Sequence, residues 1–490
     1  MPKPAGVLSP FRSFARIAAA LLSIVALAMG IPLGAALAHG ESPCIGAFLW
    51  PMGAALGVGV LVLALTGGKK ITLSARSGLV TVSLCWLLAG ILGAFPFVLT
   101  GSAPQDALFE SLSGFTTTGA TIFREVTPLP VSLNLWRCLT HWLGGMGIVA
   151  LTVAILPLLG GSGFLLIKAE TTGPEKGKIT PKIAETAKIL WLFYFGLTAL
   201  QTVLLMALGM DFTDALAHAF STMGTGGFST RTESIAFYRS PAIEAVCVVF
   251  MFLAGVNFSL YFSLYVRRYR EIAGNSELKA YCALVLAAAG VIALVILPEK
   301  GSPLESLRYA LFQALSLITT TGFITDDFTR WRPAAQMVLF FLMFAGGCAG
   351  STAGGVKVIR WVILGKQAAK ECKRTLHPQG VFTLRVNGKV LDGAYVFSSA
   401  AFIAFYLAVA FAVALTVSAL ERIDGVTALT SALSMIGNIG PAFGAGGYVD
   451  DFASFSAPSK LLFCFVMLLG RLELYAALIV FFPVFWRRRA

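Results

Sequence analysis

Side-chain oxygens placed two residues before a glycine recur four times in this 490-residue chain, as Thr117-Thr118-Gly119, Thr225-Gly226-Gly227, Thr320-Thr321-Gly322 and Asn438-Ile439-Gly440. Thr or Asn at the first position offers a side-chain oxygen as well as a carbonyl, and the closing glycine admits backbone angles that strain a residue bearing Cβ. Closely spaced carbonyls aimed at one axis can replace the hydration shell of a bare monovalent cation. The candidate ligands for such an ion are the oxygens of Thr117, Thr118, Thr225, Gly226, Thr320, Thr321, Asn438 and Ile439.

The four copies agree well beyond their last three residues. Ala-Leu stands twelve and eleven residues before each glycine (Ala107-Leu108, Ala215-Leu216, Ala310-Leu311, Ala428-Leu429), and a serine stands six before it (Ser113, Ser221, Ser316, Ser434). Such a register marks an internal fourfold repeat. Continued past the glycine, the segments read Ala120-Thr121, Phe228-Ser229, Phe323-Ile324 and Pro441-Ala442, degenerate relatives of the filter sequence TVGYG. The fourth, with Pro441-Ala442-Phe443, is the bulkiest.

The elements that hold these segments follow from composition. With 57% hydrophobic residues, 12% charged and a mean hydropathy of +0.81, the chain has too little polar surface for water and reads as an integral membrane protein. Apolar stretches over 14–38, 46–66, 78–100, 132–158, 187–209, 241–266, 278–297, 333–348 with 358–365, 394–419 and 459–485 predict ten spans, judged against about 20 residues per crossing. Each copy of the repeat lies between two spans and is too short to cross. A segment that enters and returns is tolerated only where protein buries it or it lines a water-filled cavity, so each copy is expected to be a half-helix plus loop facing a shared pore. Asp106, Asp214 and Thr427 are the expected caps; Tyr309 breaks the pattern, so the third half-helix is expected to start near Ser302 or Glu305. The half-helices would aim their negative C-terminal ends at the ion.

Basic residues collect in alternate loops, at Lys69, Lys70 and Arg76, at Lys168 to Lys188, at Arg267 to Lys279 and from Lys357 to Lys389, with Lys3, Arg12, Arg16 and Arg487 to Arg489 at the ends. The positive-inside rule makes those loops and both termini cytoplasmic. Topology and anionic lipid account for the +13 net charge, leaving no support for nucleic-acid binding. Ala36-Leu37-Ala38 before His39 resembles a signal cleavage site, but about 25 apolar residues precede it, which favours a retained first helix. The eight cysteines have no paired spacing and read as packing residues. The four histidines lie on separate elements, and no catalytic or metal constellation suggests an enzyme or an organic cofactor.

Two further features stand at membrane depth. Gly346-Gly347-Cys348-Ala349-Gly350-Ser351-Thr352-Ala353-Gly354-Gly355-Val356-Lys357 interrupts the eighth span with a helix-breaking run. Such a run is a contact surface for a neighbouring helix or an intramembrane loop. Arg471 inside the last span is costly unless it faces a cavity or a partner, and Glu473, two residues on, does not share its helix face, so the loop or pore is the better partner. Asn257 suits a helix-helix hydrogen bond as well as a pore contact.

With the four filter-like segments, the run Lys178-Ile179-Thr180-Pro181-Lys182-Ile183-Ala184-Glu185-Thr186-Ala187, the stretch Gly346 to Lys357 and Leu469-Gly470-Arg471-Leu472-Glu473, the chain resembles the Trk/Ktr/HKT superfamily of potassium transporters, and within it the bacterial TrkH-type subunits. The resemblance covers nearly the whole sequence. It implies an all-α membrane fold of ten transmembrane helices with four re-entrant half-helices. Residues 1–70 would form an N-terminal helix pair, and 71–170, 171–272, 273–375 and 376–490 would form four M1-P-M2 repeats around one pseudo-fourfold pore. It implies inward movement of K+, the transported substrate, across the bacterial inner membrane, a homodimer, and a TrkA-type cytosolic nucleotide-binding regulatory subunit. It also implies that the 346–357 loop blocks the pore below the filter, with Gly346, Gly347, Gly350, Ser351, Thr352, Gly354, Gly355, Lys357 and Arg471 controlling permeation. Serine at the first filter glycine accompanies sodium preference in plant relatives, so Gly119 favours potassium. The alternative reading is a cation-coupled symporter of a small solute, which would place polar side chains rather than repeated glycine loops at the midplane.

Overall fold

A computed structural model describes residues 9–66, 75–158, 183–444, 447–449 and 451–478. Among these, six helices are long and apolar enough to cross a bilayer: Phe11–Ala38, Ser42–Thr66, Ser77–Leu99, Lys188–Ala207, Ser276–Lys300 and Gly393–Glu421. Another runs from Val131 to Leu158. The exterior is apolar, unlike that of a water-soluble protein, and the largely apolar core encloses a set of polar side chains. Trp50, Leu65, Leu192, Leu294, Phe397 and Leu415 face outward, while Ser113, Thr117, Ser221, Ser316, Ser434 and Asn438 are buried. An apolar exterior suits lipid, and the polar groups buried within must then find their hydrogen bonds inside the protein.

Three of the ten expected spans are not continuous helices. The sixth splits into Pro241–Ala254 and Phe258–Tyr265, bent by 89° at Gly255-Val256-Asn257. The eighth leaves helical form after Leu342 and resumes at Val358. The tenth is helical from Ala457 to Arg471, after which Glu473 and Leu474 take positive φ values of 54° and 44°. The break in the eighth span falls on the glycine-rich run that the sequence marks, whereas hydropathy reads straight through the sixth and tenth because the interrupting residues there are mostly small or apolar. Arg487 to Arg489, Lys3, Lys69, Lys70 and the run Lys178 to Lys182 lie outside the described residues.

Four short helices, Pro104–Phe115, Phe212–Gly224, Pro303–Ile318 and Gly425–Gly437, carry the repeated pattern. Their starts correct the expected caps. Asp106, Asp214 and Thr427 sit inside the first turn, and the capping positions are Ala103, Asp211, Ser302 and Asp424, with proline next at 104 and 303. Only the third start, at Ser302, falls where the sequence places it. The polar first turn lies at the rim, so the apolar pattern begins about one turn late. The acids displaced from capping bind elsewhere: Asp106 pairs with Lys460 at 2.7 Å and Asp214 with Arg231 at 2.6 Å. Asp424 accepts from the Thr427 hydroxyl at 2.6 Å and N–H at 2.9 Å, and these bonds hold its carboxyl below the usual aspartate value.

Two hairpins complete the chain. Ala442–Gly444 pairs with Gly447–Val449 beyond the fourth segment, and Arg385–Val386 pairs with Lys389–Val390 between the helices Val358–Leu376 and Gly393–Glu421.

Candidate functional site

Each short helix ends in the same way. The N–H of the first segment residue reaches back to the carbonyl three residues earlier: Thr117 to Gly114, Thr225 to Thr222, Thr320 to Leu317, Asn438 to Met435. The N–H of the next residue bonds the carbonyl of the repeated serine, at 2.8 Å for Thr118 to Ser113 and 2.9 Å for Gly226 to Ser221, Thr321 to Ser316 and Ile439 to Ser434. This paired closure is the Schellman motif, which requires a left-handed residue and usually takes glycine. Here Thr117, Thr225, Thr320 and Asn438 occupy it at φ 53–56°. A β-branched residue in that region costs about 1–2 kcal/mol, so the threonines are kept against a local preference.

The serine hydroxyl explains the rest of its repetition. It donates at 2.6 Å to the carbonyl of Ala120, Phe323 or Gly440 in the first, third and fourth copies, pinning the outgoing chain. In the second copy Ser221 lies 3.4 Å from Nδ1 of His141 instead.

The glycines Gly119, Gly227, Gly322 and Gly440 have φ of 80°, 86°, 81° and 100°. A Cβ on Gly119 would strike the Gly226 carbonyl oxygen, one on Gly227 that of Thr321, one on Gly322 that of Ile439, and one on Gly440 that of Thr118. Each glycine therefore backs onto the carbonyl just before the glycine of the next copy, and the fourth returns to the first. The contacts form a closed cycle through eight of the twelve sequence-predicted segment residues, and the other four, Thr117, Thr225, Thr320 and Asn438, stand immediately before them in the chain.

Below that cycle the helix breaks meet. Gly354 N–H donates to Thr320 Oγ1 at 2.7 Å, and a Cβ on Gly354 would strike the Gly437 carbonyl. Cys348 N–H donates to the Gly255 carbonyl at 2.9 Å, and Phe258 N–H to that of Gly350 at 3.0 Å. Ser351 Oγ closes on the Cys348 carbonyl at 2.6 Å and Thr352 Oγ1 reaches Ala254 at 3.2 Å. Gly346 and Gly355, at φ 71° and 74°, pack backbone to backbone where the loop's two limbs cross, and Gly347 packs on Ala353. Arg471, buried, donates to the Thr352 carbonyl at 2.8 Å and the Gly144 carbonyl at 3.0 Å, so the loop is indeed its partner. Glu473 instead binds Arg360 at 2.6 Å. Lys357 Nζ turns back to the Ala353 carbonyl. Asn257 caps Phe258–Tyr265 by accepting from Ser259 N–H at 2.9 Å and lies against Gly350.

Three groups escaped the sequence reading. Arg137 and Glu110 form a buried ion pair at 2.6 Å, and Arg137 also donates to the Ser229 carbonyl at 3.1 Å, tying the first unit to the second segment's return. The His141 ring stacks on Phe228 with centroids 4.1 Å apart and fills the space beside Gly226. Its Nδ1 accepts from Phe228 N–H at 3.4 Å. Lys460, from the last unit, reaches Asp106 of the first. No spacing signal could reveal these, because the partners named lie 27 residues or more away in sequence, most of them on another repeat.

The TrkH model of cation transport proteins matches residues 54–487. The chain is 37% identical to the Trk system potassium uptake protein TrkH of Halomonas elongata, over 97% of this chain and 99% of that one. It is equally similar to TrkH of Escherichia coli K12, at 37% identity over the same shares. The crystal structure of the potassium transporter TrkH from Vibrio parahaemolyticus superimposes with a TM-score of 0.87 at 34% identity, covering 97% of this chain and all of that one.

Proposed function

The chain belongs to the TrkH family of cation transport proteins, a transporter family and not an enzyme, and from that membership we propose potassium uptake through the cycle of glycine loops described above. The observation that carries this reading is the closed contact of each glycine with the next copy's carbonyl. A cage built this way has no room for a side chain between neighbouring segments, so carbonyls and threonine oxygens crowd one axis and can replace the water around K+. Thr117 Oγ1, buried and without a hydrogen-bond partner among the described residues, fits that role.

The units 71–170, 171–272, 273–375 and 376–490 each contribute one quadrant, with 1–70 packed outside as a helix pair. The 346–357 loop is the gate. It lies against Thr320 and Gly437, and Arg471 latches it to the first unit through Gly144. Both termini and the basic loops face the cytoplasm of a bacterial cell, where a TrkA-type subunit would act on the loop; two copies of the chain assemble as a homodimer. The ion moves down its electrochemical gradient, and gating, not bond chemistry, sets the flux.

The test is K+ uptake, with Na+ and Rb+ as competitors, in cells lacking their own potassium systems and expressing the chain with and without a TrkA-type subunit. Saturable, K+-preferring uptake that depends on the subunit is expected. Absence of cation flux from folded membrane protein under both conditions would overturn the proposal.

A further inference from the structure

We propose that Glu277 holds both ends of the 346–357 loop through one carboxylate oxygen, and that the hairpin 385–390 acts on the loop through it. The proposal rests on the reading of that loop as the gate. Glu277 is the second residue of Ser276–Lys300, the helix that opens the third unit, and is 4% exposed. Its Oε1 accepts from Ala349 N–H at 2.7 Å and from Ile359 N–H at 3.2 Å. Ala349 lies on the entering limb of the loop. Ile359 lies in the first turn of Val358–Leu376, the helix that leaves it. First-turn N–H groups have no partner within their own helix and favour a negative charge, so at Ile359 this carboxylate meets a helix-terminal donor, and at Ala349 it meets an N–H of the loop itself. Releasing either end would free the segment that touches Thr320 and Gly437.

The hairpin is fastened to the same place twice. Ser276 N–H donates to Asn387 Oδ1 at 2.7 Å, and Asn387 N–H returns to Ser276 Oγ at 3.3 Å. Asn387 and Gly388, at φ 51° and 75°, form its two-residue turn, a geometry that matches strand twist and makes the hairpin stiff. Below it, Leu384, Val386 and Leu391 pack in one apolar cluster with Ala349, Ile359 and Ile363. The two residues whose N–H groups Glu277 binds therefore also rest on the hairpin. Hairpin, Glu277 and both loop ends move as one block, and a force applied to the hairpin from the cytosol reaches the loop without crossing the filter.

The experiment measures K+ flux by the full chain in proteoliposomes without any regulatory subunit, together with Na+ competition. Glu277→Ala should raise flux by about tenfold or more, the factor set by one lost hydrogen bond to a charged group. Ion competition should stay at the parental value, because Glu277 touches no filter residue. Glu277→Gln keeps an acceptor oxygen at the same place and should bring flux most of the way back. Asn387→Ala should raise it to a lesser extent. Arg471→Gln serves as the reference for the gate itself. A leak in Arg471→Gln with parental flux in Glu277→Ala would overturn the role of Glu277 and leave the gate standing; parental flux in both would overturn the gate. Should Glu277→Ala fail to accumulate, Asn387→Ala decides, since it leaves the carboxylate in place: raised flux supports the proposal and parental flux overturns it.

Discussion

Replacing Gly119 by serine tests the filter geometry most directly. At φ 80° any residue with a Cβ meets a conformational penalty of about 1–2 kcal/mol. The new Cβ would also collide with the Gly226 carbonyl oxygen, which belongs to the next quadrant of the cage. Backbone cannot swing away as a flexible side chain can, and His141 fills the space behind Gly226. The strain therefore falls on ligand oxygens and should reach the order of 1–3 kcal/mol. Since about 1.4 kcal/mol is tenfold in an equilibrium, the preference for K+ over Na+ should fall by about tenfold. The same substitution at Gly440 should do less, because there the added Cβ would stand 2.8 Å from the Thr118 oxygen, the loosest of the four contacts. The assay is competition of Na+ against K+ uptake in a strain without other potassium systems, normalised to protein in the membrane. Parental competition in Gly119→Ser with normal uptake, or a larger effect at Gly440 than at Gly119, would refute the reasoning.

Thr320→Val keeps the β-branched shape but removes the acceptor for Gly354 N–H; subunit-free flux should rise several-fold, from the loss of about 1 kcal/mol of loop binding. Glu110→Gln leaves the Arg137 guanidinium buried without its carboxylate and should destabilise the detergent-solubilised protein by about 3–5 kcal/mol, read as a large drop in melting temperature, while Glu110→Leu combined with Arg137→Met should recover much of it. Asp424→Ala should cost about 1 kcal/mol by uncapping the fourth short helix. Because the folded protein holds the Asp424 carboxyl below its ordinary 3.8, its contribution is complete above that pH and is lost as the pH falls through the folded value. The difference in melting temperature between parent and Asp424→Ala should thus be constant from pH 7 to about pH 5 and close only in stronger acid.

The repeat was legible because four copies share one environment, and the structure shows what that environment demands. The serine hydroxyl pins the outgoing chain in three of the four copies, so serine recurs; the glycine abuts a neighbouring carbonyl, so nothing larger recurs. The partner of Arg471 was also legible, since a buried cation must find oxygens and the interrupted eighth span offered free carbonyls. The caps were misread by one turn because hydrophobic periodicity starts where the helix becomes buried, not where it begins. The break at Gly255 was hidden because hydropathy averages over direction, and an 89° turn changes nothing in a running mean. His141 was out of reach for another reason: what places it is a contact with Gly226 across units, and one sequence does not record such contacts.

The four quadrants of the cage are written in a single polypeptide, and that alters how such a pore can change over time. In an assembly of identical subunits every substitution is copied into all quadrants at once, so a tolerable error in one place is multiplied. Here Asn438 and Pro441 occupy the fourth quadrant alone, and His141 backs only the second. In the proposed filter each corner can be altered while the other three keep their geometry, and unequal corners become a normal condition of the site instead of a defect.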